Sequence, residues 1–400
     1  MRFTVALFKD GDCAKLLSGQ ALSQLCDKMM TLGMVWVIST RHSASWVPWF
    51  LAVGALPHLV LALSAGAWAS RFGPLRTLVW TDAARGVLFL AAAVLWRGGG
   101  PSHALFALLC LTFYANLASA LFNPAILSLP VRLPRKDLVP QLTAAIDSCF
   151  SLSSVLGPVF AAVLYPWLGL SGLFAVNGLS YLLAAVLEAG IRVDPAVAEA
   201  SADPASPPLS PGALLLGDRL LLFMLSAFFL MNLFMTPIAA FLPLFARQLL
   251  HGEIATFAWL ETAVGVGAVA GGLALTVVDL PLKTGLRSIA GLAVVSGAYL
   301  AFCLSHEVWA ACAALAVFGL ALSVVNISLL TLFQTRPLPK DVPVLMSLVN
   351  LVGVGALPFS MALLGGVVGH MDLRRLATGL AIGLGLVTLA TAFHKGLRAA

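Results

Sequence analysis

The sequence predicts an all-α membrane protein with twelve transmembrane helices in two six-helix bundles. Three observations predict it. The 400 residues are 60% hydrophobic and only 10% charged, against about 25% charged in an ordinary soluble domain, and mean hydropathy is +0.99. Twelve apolar stretches each approach the length of about 20 residues that a helix needs to cross the hydrocarbon core. The second half of the chain repeats features of the first.

A chain this apolar cannot cover itself with polar surface, which excludes a soluble enzyme. The net charge of +6 is 23 basic against 17 acidic residues, thinly spread, which excludes a nucleic-acid binder. Neither a metalloprotease helix, a Ser/His/Asp set nor a phosphate-binding loop is present. No enzyme, cofactor or metal site is therefore expected. The six cysteines fall mostly in apolar runs, without a C-x-x-C pair, and read as apolar filler. Residues 1–15 lack the apolar core of a signal peptide, so the first span is expected to act as the insertion signal.

The spans fall at about 16–39, 46–69, 77–96, 103–123, 141–165 and 168–191, then 219–246, 255–277, 286–304, 307–331, 343–369 and 374–394. Backbone groups in lipid must be satisfied within the segment, so these are helices. The longest polar interruption, 192–218, holds five prolines among Ala and Ser and reads as a linker. Expected domains are 1–191, a cytoplasmic linker 192–218, and 219–400.

Orientation follows from Lys and Arg. Of the 23, Arg41, Arg97, Arg247, Arg374 and Arg375 fall in outer segments and Lys28 inside a helix, leaving 17 for inner segments when the N-terminus is cytoplasmic. This bias places both termini in the cytoplasm.

The repeat is carried by two loops. Leu133-Pro134-Arg135-Lys136-Asp137 is matched by Leu338-Pro339-Lys340-Asp341, and upstream Asn123 corresponds to Asn326, an offset of about 204 residues. A parallel duplication of six helices is a transporter signature, with substrate held between the bundles.

Ionisable groups inside the bilayer are costly, so each is a functional candidate. Asp27 lies mid-span in helix 1 and Asp147 in helix 5; the same offset pairs them with Asn232 and Asn350. Losing the charge relieves the desolvation cost, which makes such carboxylates, with Glu261 in helix 8, candidates for proton coupling. A carboxylate simply held by a neighbouring Lys or Gln is the alternative. Lys28, His58, Asn116, Asn232 and Asn350 are candidates for the substrate cavity. Glu188 lies near the end of helix 6, where it is expected to reach water. The glycines at 265, 267, 271 and 272 in helix 8, and at 353, 355, 365 and 366 in helix 11, are expected to let helices approach closely.

Between helices 2 and 3 the chain reads Gly66-Ala-Trp-Ala-Ser70-Arg71-Phe-Gly73-Pro-Leu-Arg76, and helix 3 opens with Thr81-Asp82-Ala-Ala-Arg85. The first segment resembles the loop motif of the major facilitator superfamily, Gly-x-x-x-Asp-Arg-x-Gly-x-(x)-Arg, with Ser70 at the Asp position. The resemblance implies the major facilitator fold and a cytoplasmic gate at Gly66, Ser70, Arg71, Gly73, Arg76, Asp82 and Arg85. Asp82 and Arg85, three apart on a helix, can pair. Ser23-Gln-Leu-Cys-Asp27, Phe122-Asn-Pro124-Ala125, Ser154-Val-Leu-Gly157-Pro158 and Phe174-Ala-Val-Asn177-Gly178-Leu-Ser180-Tyr181 resemble segments of the branch that includes enterobactin exporters and macrolide-efflux proteins. That branch implies a monomeric, proton-driven exporter of a small molecule, most simply a siderophore, in a cell inner membrane, with protons, substrate and lipid as its partners. Multidrug or macrolide efflux and lysophospholipid carriage are the alternatives of the same fold. A non-transporting membrane sensor has no need of intramembrane carboxylates.

Overall fold

Helix α1 (Gly11–Arg41) starts at Asp10, whose carboxylate accepts hydrogen bonds from the amides of Asp12 and Cys13 at 3.1 and 3.0 Å. These are donors that a helix start otherwise leaves unsatisfied. The computed structural model describes residues 10–61, 68, 72–97, 104–130, 139–192, 217–277, 283–336 and 342–399. All regular structure among them is helical.

Helix α2 is Trp46–Leu61. Helix α3 (Pro74–Leu95) has proline at its first position, where the missing N–H costs nothing, preceded by Gly73 at φ 86°. Helix α4 is Ala104–Ser128. The next helical stretch spans Val139–Ala189, with a kink at Gly169, which adopts φ 60°, ψ −172°. Only glycine takes that conformation readily, so it divides two helices, α5 before it and α6 after it. The sequence places this boundary within four residues of Gly169.

Helix α7 (Arg219–Met235) is interrupted at Thr236-Pro237, continues as Ile238–Leu244 and ends in a π-helical turn, Phe245–Leu249. The remaining spans are α8 (Ile254–Val277), α9 (Thr284–Leu304), α10 (Val308–Thr335), α11 (Val342–Val367) and α12 (Leu373–Phe393), followed by the short α13 (Lys395–Ala399). Among the described residues, nine stretches are long and apolar enough to cross a membrane. One of these contains both α5 and α6, and α1 and α2 bring the total to twelve. Helix α1 has length enough with 31 residues; its charged residues lower its mean hydropathy. The two repeat loops and residues 193–216 of the expected linker lie outside the described residues.

The described residues within 1–38 and 53–203 form one compact unit, and those within 39–52 and 204–400 a second. The first has a core of Leu16, Leu78, Phe122, Leu142 and Ile146. The second is built on Leu221, Leu332, Phe333, Leu345 and Leu397. In the second unit α8 and α10 cross at backbone contact: a Cβ added at Gly267 or Gly271 would collide with the Ala316 or Leu320 carbonyl, and one at Gly319 with the Val264 carbonyl. The expected close approach at the α8 glycines is thus realised at Gly267 and Gly271. In α11 it is realised at Gly365, where an added Cβ would lie 2.7 Å from Trp49 Nε1, whereas Gly353 has ordinary van der Waals room beside Phe228 and Gly366 faces open space.

Outside the membrane core, Asp218 caps α7. It accepts from the amides of Leu220 and Leu221 at 2.9 and 3.3 Å and takes a two-pronged pair from Arg336 at the end of α10, 2.7 and 3.2 Å.

Candidate functional site

Polar residues are sorted onto one face of each of three helices in the first unit. On α1, Gln20, Gln24 and Asp27 recur at i, i+4, i+7, a single helical stripe. On α6, Asn177, Tyr181 and Glu188 form another. Helix α3 supplies Asp82 and Arg85. Small residues bring these faces together. A Cβ added at Gly178 would stand 2.9 Å from the Gly86 carbonyl oxygen and 3.0 Å from the Leu90 nitrogen, so the backbones of α3 and α6 nearly touch. At Gly19, the added atom would lie 3.3 Å from the Ala184 Cα, which sets α1 equally close to α6.

The result is a directed chain of hydrogen bonds. Arg85 Nη1 donates to the Tyr181 hydroxyl at 3.1 Å, and that hydroxyl donates to Asp27 Oδ1 at 2.7 Å. A guanidinium only donates, so the one phenolic hydrogen is left for Asp27. Arg85 also pairs with Asp82 through Nη2. Its guanidinium lies 4.6 Å from the centre of the Phe122 ring and 4.3 Å from that of Tyr181, close enough for cation–π attraction. Phe89 stacks with Tyr181, with ring centres 6.1 Å apart and planes 11° from parallel. Asp82 is wholly buried and Arg85 is 4% exposed. A buried ion pair is tolerated only with good geometry and further hydrogen bonds, which Tyr181 and the Thr81 carbonyl supply.

A second link lies alongside. Gln20 Nε2 donates to Glu188 Oε1 at 2.8 Å, and Gln24 to Gln20 at 3.5 Å. Glu188 is wholly buried. The expectation that it reaches water is therefore corrected: the α1–α6 contact at Gly19 encloses it, and Gln20 replaces solvent. Three acidic side chains, Asp27, Asp82 and Glu188, thus share the surroundings of one guanidinium.

The other candidates distribute as follows. His58 on α2 and Asn116 on α4 are brought together, Nε2 to Oδ1 3.3 Å, and Asn116 donates back to the Thr112 carbonyl at 2.8 Å. Lys28 is exposed, and α5 passes it so closely that a Cβ on Gly157 would lie 2.5 Å from the Lys28 Cβ. Asn232 spends its amide on the Phe228 carbonyl of its own helix, 2.8 Å, and Asn350 is exposed. Glu261 is half-buried on α8. Asp147 stands on α5, with its side chain outside what the structure describes, as are Gly66, Ser70 and Arg71. Gly73 makes the turn into α3, and Arg76 on its first turn is exposed. Asp82 and Arg85 do pair, but they stand inside the helix bundle behind Asp27 rather than at its surface. Sequence reasoning did not single out Gln20 or Tyr181 as site residues. The 3.6-residue spacing of Gln20, Gln24 and Asp27 is the signal that finds Gln20; Tyr181 emerges only from the close approach of α3 and α6.

Twelve apolar helices, with a polar network buried inside one six-helix half, define a polytopic membrane protein. The family model of the Major Facilitator Superfamily matches residues 16–361. The chain belongs to that superfamily. Curated relatives include the candidate bacilysin exporter BacE of Bacillus amyloliquefaciens, 27% identical over 179 residues, and that of Bacillus subtilis strain 168, 25% identical over 179 residues. The aligned region is 44% of this chain and covers 44% and 43% of those proteins, less than half their length. Among solved structures, a bacterial homologue of the human lysosomal transporter Spinster, in an inward-facing and occupied conformation, matches with TM-score 0.69 at 14% identity. The match covers 97% of this chain and 99% of that one. An auto-inhibited POT family peptide transporter matches with TM-score 0.69 at 13% identity, covering 96% of each chain. At these identities the structural likeness concerns the fold.

Proposed function

We propose that this protein is a proton-coupled exporter of a small secreted metabolite, working by alternating access, with Asp27 as the coupling carboxylate. The observation that carries the reading is the Arg85–Tyr181–Asp27 chain. It ties a half-buried carboxylate on α1 to a buried cation on α3 through a hydroxyl on α6. Adding a proton to Asp27 removes the charge that this chain is built to meet. The relative stability of two arrangements of these helices then depends on that proton. His58 and Asn116, held together on α2 and α4, are the polar groups offered to cargo in the same half. Export, rather than uptake, is supported by the relatives named as exporters. A siderophore is the proposed cargo, carried across a cell inner membrane by a monomer with both termini in the cytoplasm.

Two experiments test this. A deletion strain grown with limited iron should accumulate the cargo inside the cells and lose it from the medium, read by mass spectrometry of both. An unchanged profile discards the siderophore and turns the search to macrolides and lysophospholipids. In the complemented strain, Asp27→Asn should abolish export while leaving the protein folded in the membrane. Undiminished export by that variant would remove Asp27 from the mechanism.

A further inference from the structure

A cavity of about 780 Å³ lies between α3 and α4 in the first unit, within the range of about 300–1,000 Å³ usual for small-ligand sites. Its walls are aromatic and aliphatic, with Trp68, Phe72, Trp80 and Tyr114 the largest side chains. Trp80 is 74% exposed and stands on the same stripe of α3 as the exposed Val87 and Val94, spaced by seven residues so that all three share one face. In a membrane-spanning helix, an apolar exposed stripe is the face turned to lipid. The cavity borders that face, so it opens toward acyl chains rather than water.

Its charges are one-sided. Among the described residues, no acidic side chain lines it. Two arginines do, and they differ. Arg85, on the inner wall, is already matched by Asp82 and Tyr181. Arg76 is exposed on the first turn of α3, at the membrane-surface end of the helix, and has no ion-pair partner among the described residues. The start of α3 adds to its effect: Gly73 provides no side-chain cap, and the positive end of the helix dipole lies beside Arg76.

An apolar cavity beside lipid, with a cation at the surface end and, among the described residues, no carboxylate to pair with that cation or receive an ammonium group, has the charge and polarity pattern of one anionic phospholipid. We propose that it is a binding site for such a lipid, with an acyl chain packed against Trp80 and Tyr114 and the phosphate at Arg76. The proposal is independent of the transport reading: it concerns what the first unit holds at its membrane face, whatever the cargo.

The test uses the purified full-length protein and native mass spectrometry, titrating phosphatidylglycerol or phosphatidylcholine of the same chain length. The wild type should retain one phosphatidylglycerol under conditions that strip phosphatidylcholine. Arg76→Gln should weaken that retention about fivefold, the effect of one basic residue near an anionic membrane surface. Ala118→Phe, which fills the cavity from α4 and changes no charge, should remove it. Arg97→Gln, an exposed change just beyond the other end of α3, should leave it intact. Equal retention of the two lipids by the wild type would overturn the proposal, as would retention of neither, or undiminished phosphatidylglycerol binding by Arg76→Gln. Arg76 is a surface position whose replacement leaves the helix core untouched, so this last result decides even if Ala118→Phe fails to fold.

Discussion

Tyr181 is the residue on which the site turns, because it connects Arg85 to Asp27. Its hydroxyl accepts from one and donates to the other. Replacing it with phenylalanine keeps the ring, its stack on Phe89 and its place under the guanidinium, and removes only the oxygen. Two buried or half-buried charges then each lose a partner. An unsatisfied buried polar group costs about 1–3 kcal/mol, so Tyr181→Phe should lower thermal stability in detergent measurably, and export should fall with it. A melting temperature equal to wild type would mean that the hydroxyl contributes nothing to holding these helices. Asp27 was legible in the sequence because a carboxylate inside an apolar span is conspicuous on its own. Tyr181 was not, because a tyrosine in such a span is also ordinary filler. Only the near-contact of α3 and α6 at Gly86 and Gly178 turns it into a bridge, and no spacing along a single helix reports that.

Helices in lipid gain nothing from a hydrophobic effect between them, so their association rests on how closely backbones approach. The α8–α10 crossing is the plainest instance, with Gly267, Gly271 and Gly319 interlocked against opposing carbonyls. Gly271→Val has no room beside the Leu320 carbonyl, and overpacking of this kind costs about 1–3 kcal/mol. Gly366→Val, on α11 in open space, should cost little. Comparing the two melting temperatures checks the assignment; equal losses would refute it. The sequence marks both helices as glycine-rich, but it does not say which glycine faces a neighbour; the close approach falls at Gly267 and Gly271 of α8 and at Gly365 of α11, against Trp49, and not at Gly366.

The cap of α7 makes a different prediction. Burial pushes the Asp218 carboxyl up, but Arg336 and the amides of Leu220 and Leu221 outweigh it and hold the group below its ordinary value. A carboxyl lowered by folding contributes stability above its unfolded pKa, and the contribution fades as pH falls through the folded value. Replacing the cap by alanine costs about 1 kcal/mol. The melting difference between wild type and Asp218→Ala should therefore be full at neutral pH and shrink below about pH 4. A difference that stays constant to low pH would assign it to packing instead of charge.

For the whole molecule, most of the architecture was legible because the bilayer permits so few alternatives. A spanning segment must be helical and about 20 residues long, so the spans could be placed within a few residues from polarity alone. The division at Gly169 was located in the same way. Orientation has the same origin but a separate cause, the retention of basic loops on the cytoplasmic side. The assignment is 17 basic residues inner and five outer, with Lys28 within a helix. One of the 17, Arg85, stands buried in α3 with its charge matched by Asp82, so it exerts no pull on topology. Removing it leaves 16 against five, and the bias survives. The expected topology puts Arg76 at the cytoplasmic face and Arg97, at the other end of α3, outside. In a cysteine-free background, Arg97→Cys should react in intact cells with a membrane-impermeant maleimide, whereas Arg76→Cys should react only after the membrane is opened. The opposite pattern would invert the protein. It would also move the Arg76 cavity to the outer leaflet, where the anionic surface lipid invoked for it is not the leaflet's characteristic charge. One labelling experiment therefore bears on both the direction of the chain and the surroundings of its lipid-facing site.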